Sequence, residues 1–264
     1  MDWWREFFDD EYAFLYSGAL TPERTEREVA GAAALLRLSA GQRVLDLCCG
    51  DGRHSVALQR RGLRVLGLDA SLPLLRRARQ RAARVLGDES DDEATEPLTP
   101  LAHPRFVAAD ARSLPLRPAF DAALLLFSSI GYGTDEDTEA MLRSARAALR
   151  PGGQLLLECA HRDLHVSRIG PSLSARDWMD LDGVRVLTER RLDPVAGLEH
   201  AVFRFQRAGA PESVKRFRHR LYTPTELRPM LERAGFSHTD WYGDYDRRPF
   251  GLDAPFLIAH ARVG

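Results

Sequence analysis

The run Val44-Leu45-Asp46-Leu47 passes through Cys48-Cys49-Gly50-Asp51-Gly52 into Arg53-His54-Ser55, and this junction constrains the fold more than any other stretch. Glycines let a backbone turn tightly and approach a ligand with no Cβ in the way, while the next helix begins with unpaired N–H groups. A second buried-type strand, Leu63 to Asp69, ends in another carboxylate. It falls about 20 residues after the first acid, where a carboxylate accepts both hydroxyls of a ribose. A strand, a glycine-bearing turn, a helix and a second strand predict a parallel α/β fold that holds a ribose-bearing cofactor.

Two cofactor classes use such a junction. A dinucleotide loop asks for G-x-G-x-x-G, but Cys48 stands at the first glycine, and neither Arg53, where the third would fall, nor Ser55 two residues beyond it is a glycine. The acidic-x-G-x-G-x-G loop of class I S-adenosylmethionine-dependent methyltransferases maps onto Asp46, Cys48, Gly50 and Gly52, with small cysteine replacing the first glycine. The chain resembles that superfamily. The resemblance implies an S-adenosylmethionine site formed by these four residues with Arg53, Asp69 and Ala70.

The likeness continues along most of the chain. Arg105 to Ala111 reads as a third strand ending in Asp110; the resemblance has Asp110 accept from the adenine amino group and the Ala111 N–H meet a ring nitrogen. Phe120 to Phe127 is an apolar run of central-strand length, followed by Ser128-Ser129-Ile130-Gly131-Tyr132. In the resembling family this strand end, Phe127 included, lies under the methionine part of the cofactor. Thr134 to Leu149 has helical spacing, Pro151-Gly152-Gly153 ends it, and a strand from Gln154 to Glu158 follows. A capped helix opening at Thr223-Pro224 precedes a terminal hairpin, 237–246 and 256–263. The expectation is a single domain, 1–264, of the α/β class: a Rossmann-like seven-stranded sheet with helices on both faces.

Two regions stand outside that frame. Residues 1–38 begin with an aromatic segment and continue into an amphipathic helix from Pro22. In resembling small-molecule methyltransferases this segment closes over the cofactor and carries Tyr-x-x-x-Tyr-x-Gly, which Tyr12, Tyr16 and Gly18 reproduce. Aromatic faces suit a sulfonium cation, and a lid excludes water. Residues 182–222 read as three inserted antiparallel strands, 184–192, 198–207 and 214–222. They carry nine basic residues against five acidic ones, a pattern open to an RNA-facing surface, an anionic substrate, or simply a solvated sheet face.

With 264 residues, 44% of them hydrophobic, the chain can bury one substantial core. A net charge of −1 argues against wholesale attraction to nucleic acid or membrane, and no bilayer-length apolar run or secretion signal is read, so a cytoplasmic protein is expected. Cys48, Cys49 and Cys159 sit at strand ends, as reduced thiols do, and no metal-binding spacing occurs. The acidic stretch 88–96 reads as a solvated loop.

Methyl transfer from a sulfonium asks the protein mainly to align and dehydrate the reactants. Tyr132 and His161 are the candidate catalytic residues near the carboxyl ends of the strands, with Asp163, Tyr242 and Asp244 nearby. The predicted acceptor is a small-molecule amine or hydroxyl. An RNA methyltransferase using the basic insertion and a non-catalytic S-adenosylmethionine-binding module are the alternatives.

Overall fold

The computed structural model describes residues 3–87 and 103–264; the stretch 88–96 lies outside the described residues. In chain order, α1 (Trp4–Phe7), α2 (Asp10–Tyr16) and α3 (Pro22–Leu36) lead into β1 (Arg43–Leu47), α4 (Arg53–Gln59), β2 (Arg64–Asp69), α5 (Leu72–Leu86) and β3 (Arg105–Ala108). Next come β4 (Phe120–Leu125), α6 (Asp135–Ala148), β5 (Leu149–Ala160) and α7 (Arg162–Ile169). After these, β6 (Ser174–Leu181), β7 (Val184–Asp193), β8 (Leu198–Arg207) and β9 (Ser213–Arg220) precede α8 (Pro224–Arg233), β10 (Phe236–Tyr242) and β11 (Phe256–Val263).

The main sheet has seven strands in the order β10-β11-β5-β4-β1-β2-β3. The pairs from β5 to β3 are parallel, and β11 runs antiparallel to both its neighbours, closing the sheet as the terminal hairpin predicts. Along β4, Ala122 and Leu124 face α3 and α4, while Ala123 and Leu125 face α6 and α8. Burial on both faces is why β4 reads as an unbroken apolar run and not as an alternation. Each fully buried leucine of these layers contributes about 1.5–3 kcal/mol. Chain order reverses between β1 and β4, the point in such sheets where ligands bind beyond the carboxyl ends.

Local signals fix the helices. Thr134 caps α6, and Asp137 returns a bond to the Thr134 N–H. The Glu226 carboxylate accepts from the Thr223 N–H at 2.9 Å, stapling the start of α8. Several boundaries differ from the sequence reading: the third strand ends at Ala108, short of Asp110 and Ala111, and the first strand of the terminal hairpin ends at Tyr242. The fourth strand stops at Leu125, because Phe127 and Ser128 adopt left-handed φ values of 57° and 56°. The fifth begins at Leu149, with Pro151-Gly152-Gly153 inside its bounds.

The inserted sheet has four strands, not three, in the order β6-β7-β8-β9. The additional strand, β6, precedes the expected boundary at 182. It is a polar edge strand, mostly exposed, without the hydrophobic alternation of its neighbours. Its turn into β7 is Asp182-Gly183, with φ of 44° and 78°, the two positive values a two-residue hairpin of matching twist requires. Phe203, Phe205, Val184 and Val186 turn inward from β7 and β8 and pack with Phe7, Leu15 and the aromatic side chains of the N-terminal helices. The insertion and the N-terminal segment thus share a small core of their own above the strand ends.

Candidate active site

The loop after β1 is shaped by its backbone. Cys48, Gly50 and Gly52 all have positive φ, at 56°, 56° and 72°. Cys48 therefore keeps the left-handed backbone of the glycine it replaces, at a steric cost that glycine does not carry. A Cβ on Gly52 would stand 2.8 Å from both Ala78 and Phe106, so that glycine permits the loop to seat against α5 and β3. Asp69, at the end of β2, accepts from the Gly50 N–H at 2.8 Å and the Ser71 N–H at 2.7 Å. Burial pushes its carboxyl up and these N–H donors pull it down, with burial the larger effect.

A cavity of about 280 Å³ opens above this loop, lined by Tyr12, Cys48, Gly50, Arg53, Asp69, Ala70, Phe127 and Tyr132 among others. Arg53, at the first position of α4, is buried and its guanidinium lies 5.3 Å from the Phe127 ring centre. The fully buried Glu28 of α3 holds it, and accepts from His54 Nε2 at 2.9 Å and from Arg24 Nε at 2.7 Å. Burial opposes charge on Glu28, but the bond from His54 and the Arg53 guanidinium outweigh it and hold the carboxyl well below the usual range. Arg53 Nη2 is buried and has no hydrogen-bond partner among the described residues. A free guanidinium donor beside the cavity suits the carboxylate of an amino-acid tail, and Asp69 suits a ribose.

A smaller space of about 70 Å³ continues from this cavity past Cys48, Ala70 and Tyr132 to Asp110, Ala111 and Met141. Its mainly apolar lining suits a purine. Asp110 is gripped by Arg112, whose Nε and Nη2 donate to its carboxylate at 3.0 and 2.7 Å, and this bonding lowers the Asp110 carboxyl.

On the opposite side lies a third cavity of about 410 Å³. It shares Phe8, Tyr12, Phe127 and Tyr132 with the first, so these aromatic side chains form a common wall. Its remaining walls come from α7 and from the inner face of the inserted sheet, including His165, Arg190 and Glu199. The N-terminal helices are fastened to both halves of the molecule. Trp3 Nε1 donates to the Tyr132 carbonyl at 2.9 Å, Arg77 to Asp10 at 2.7 Å, and Lys215 to Asp9 at 2.6 Å. The Tyr12 and Tyr16 rings lie tilted to one another with centres 4.9 Å apart, and Tyr16 meets Phe127 edge-on at 5.7 Å. Burial pushes the Tyr12 and Tyr132 hydroxyls up, so both stay protonated at neutral pH.

Of the residues singled out in sequence, Tyr12, Cys48, Gly50, Arg53, Asp69, Ala70, Phe127 and Tyr132 meet around the first cavity, Asp110 and Ala111 line the second, and Tyr16 lines the third. Asp46, Gly52 and His161 line none of the three among the described residues. Asp46 is buried under the loop and accepts from Ser55 Oγ at 2.6 Å. His161 is buried too; its Nδ1 donates to the Ala254 carbonyl at 3.0 Å and its ring packs against Phe250. His165, one helical turn further along, lines the third cavity instead. His165, Glu199 and Arg190 carried no motif, because only tertiary packing brings α7 onto the sheet. The three thiols are pushed up by burial and none is a nucleophile at neutral pH.

The basic excess of the insertion is largely neutralised. Arg204 pairs with Glu212, Arg207 with Glu11, and Arg220 with Glu226. Phe203 and Phe205 are buried, and so offer no stacking platform for bases. Among the described residues no helix is long and apolar enough to cross a membrane.

Residues 44–153 match the family described as a methyltransferase domain. Cypemycin N-terminal methyltransferase from a Streptomyces species is 31% identical over 120 residues, covering 45% of this chain and 42% of that protein. The chain spans about half or less of the length of the curated relatives it matches. In structure, the CcbJ methyltransferase from Streptomyces caelestis aligns with a TM-score of 0.74 at 22% identity, over 93% of this chain and 98% of that one. An amino pentose methyltransferase from Micromonospora echinaspora, solved with S-adenosylmethionine bound, aligns with a TM-score of 0.68 at 23% identity, over 96% and 97% of the two chains. The match over residues 44–153 identifies that stretch as a methyltransferase domain, and loop motif and sheet order give the chain the fold of class I S-adenosylmethionine-dependent methyltransferases.

Proposed function

We propose that the protein transfers a methyl group from S-adenosylmethionine to a small-molecule amine or hydroxyl. The observation that carries this reading is the pair of cavities meeting at one aromatic wall. One fits a nucleoside with an amino-acid tail, and the other is a chamber of small-molecule size. Related proteins act on comparable acceptors: the Micromonospora enzyme is an amino pentose methyltransferase, and another structural neighbour is a sugar N-methyltransferase.

When bound, S-adenosylmethionine supplies an activated methyl group on a sulfonium. Asp69 would hold the ribose, the Asp110 and Ala111 region the base, and Arg53 the carboxylate. Tyr12, Phe127 and Tyr132 present aromatic faces where the two chambers meet, which suits a cation there. The N-terminal helices cover this meeting point and exclude water from the reacting atoms.

The test is release of S-adenosylhomocysteine from S-adenosylmethionine over four acceptors: glucosamine, phenethylamine, catechol and bulk tRNA. Turnover with a small molecule and none with tRNA is the expected result. Turnover with tRNA alone overturns the acceptor class, and cofactor binding without turnover of any acceptor overturns the enzymatic reading.

A further inference from the structure

The third cavity carries a charged constellation that the cofactor site does not use. Its apolar walls give way, at the end of the inserted sheet nearest α7, to His165, Glu199 and Arg190. Glu199 and Leu192 are paired across β8 and β7, and Glu199 and His219 across β8 and β9, so the carboxylate has a strand on either side at this end of the sheet's inner face. Its side chain is 9% exposed and accepts no hydrogen bond within normal distance among the described residues. His165 Nδ1 lies 4.0 Å from Glu199 Oε1, and Arg190 Nε lies 3.7 Å from the same oxygen. Such pairs are often loose in an empty site and tighten when the site fills.

Resting on the methyltransferase reading above, we propose that His165 is the catalytic residue that takes the proton from the methyl acceptor, and that Glu199 is the positioning residue that orients its ring. With Nδ1–H turned toward the Glu199 carboxylate, the lone pair of His165 lies on Nε2. His165 removes the proton of the acceptor's N–H or O–H while that atom's own lone pair bonds the methyl carbon. The electrons of the broken carbon–sulfur bond stay on sulfur, and the imidazolium passes its proton to water.

The surroundings keep this ring ready to accept. Burial lowers the affinity of His165 for a proton, Glu199 raises it, and Arg190 of β7 with Arg168 and His161 of its own helical segment lower it further. The net direction is downward, so the ring is neutral at neutral pH. Asp177 of β6 lies beyond Arg190, 3.5 Å from its guanidinium. His219 of β9 is held at about 4 by burial and donates from Nε2 to the Ile130 carbonyl at 2.8 Å, so it is not a competing base. Tyr16 of α2, whose hydroxyl is also pushed up by burial, completes the set.

Two measurements test this. In the S-adenosylhomocysteine-loaded protein, the ring resonances of His165 are followed by NMR against pH, with Glu199→Gln and Arg190→Gln as variants. Wild-type His165 titrates below its ordinary value, Glu199→Gln lowers the midpoint by about one pH unit, and Arg190→Gln raises it. A midpoint that neither variant moves overturns the pair. With the acceptor among glucosamine, phenethylamine and catechol that the wild type methylates, His165→Asn should lower kcat by about a hundredfold with KM nearly unchanged. The acid limb of the kcat profile should move down with Glu199→Gln in step with the NMR midpoint. A kcat within threefold of wild type in His165→Asn overturns the proposal while leaving the methyltransferase reading intact. If no acceptor turns over, that reading has failed, and the NMR arm still decides whether Glu199 governs His165.

Discussion

The cofactor side and the proposed acceptor side of this molecule are built in different ways. On the cofactor side, backbone turns at fixed spacing carry the site: three left-handed residues in one loop, a carboxylate at the end of β2, and an arginine at the first turn of α4. On the acceptor side, side chains from α2, α7, β7 and β8 converge with no common sequence spacing. The first arrangement is determined within about thirty residues of chain and the second only by packing of distant elements. The cofactor side should therefore fail through single residues whose removal unsatisfies a buried group, and the acceptor side should tolerate changes outside its cavity.

The largest expected effect is at Glu28. Glu28→Ala leaves the Arg53 guanidinium buried without its carboxylate, which should cost about 3–5 kcal/mol of stability in denaturant titration. The same group sets an acid limit. Its folded carboxyl lies below the ordinary value of 4.5, so its contribution is complete above that pH and is lost as pH falls below it. Wild-type stability should decline through this range, and Glu28→Gln should flatten the decline. A flat wild-type profile would detach Glu28 from the folding of the cofactor side.

Asp69→Ala removes the expected ribose acceptor and should weaken S-adenosylhomocysteine binding by about 1.5–3 kcal/mol, or ten- to a hundredfold, in calorimetric titration. Unchanged affinity would remove Asp69 from the site. Cys48→Gly relieves a left-handed non-glycine position and should raise stability by about 1 kcal/mol, provided the lost thiol packing is the smaller term. The smallest effect concerns the exposed outer face of the insertion. Reversing charge at Arg216 and Arg218 should change stability by no more than about 0.5 kcal/mol and leave small-molecule turnover within a fewfold. A large loss there would mean that the acceptor side extends beyond its cavity.

How much was legible in sequence follows the same division. The parallel order of β1 to β5 could be read from apolar strand lengths and glycine turns, and Asp69, Gly50 and Arg53 from the loop pattern. The strand end at Leu125 could not, because the left-handed turn at Phe127 and Ser128 has no glycine to announce it. Strand β6 was missed although Asp182-Gly183 is a hairpin signal, since an exposed edge strand has no buried face to impose alternation. His161 draws attention in sequence because it stands next to a strand end, yet its ring turns back to the Ala254 carbonyl. Glu199 looked like any other acid on a wet strand, and only the approach of α7 and Arg190 makes it distinctive.

The inserted sheet leaves the main fold after α7 and returns at α8, and it folds against the N-terminal helices around an apolar cluster of its own. Its strands share no hydrogen-bonded register with the seven-stranded sheet. Residues facing the acceptor can therefore be exchanged, or a hairpin lengthened, without shifting the strands that present Gly50 and Asp69. The molecule thus holds the loop at Gly50 and Asp69 and the walls of the third cavity on two separately packed supports, so that a change in one need not travel to the other.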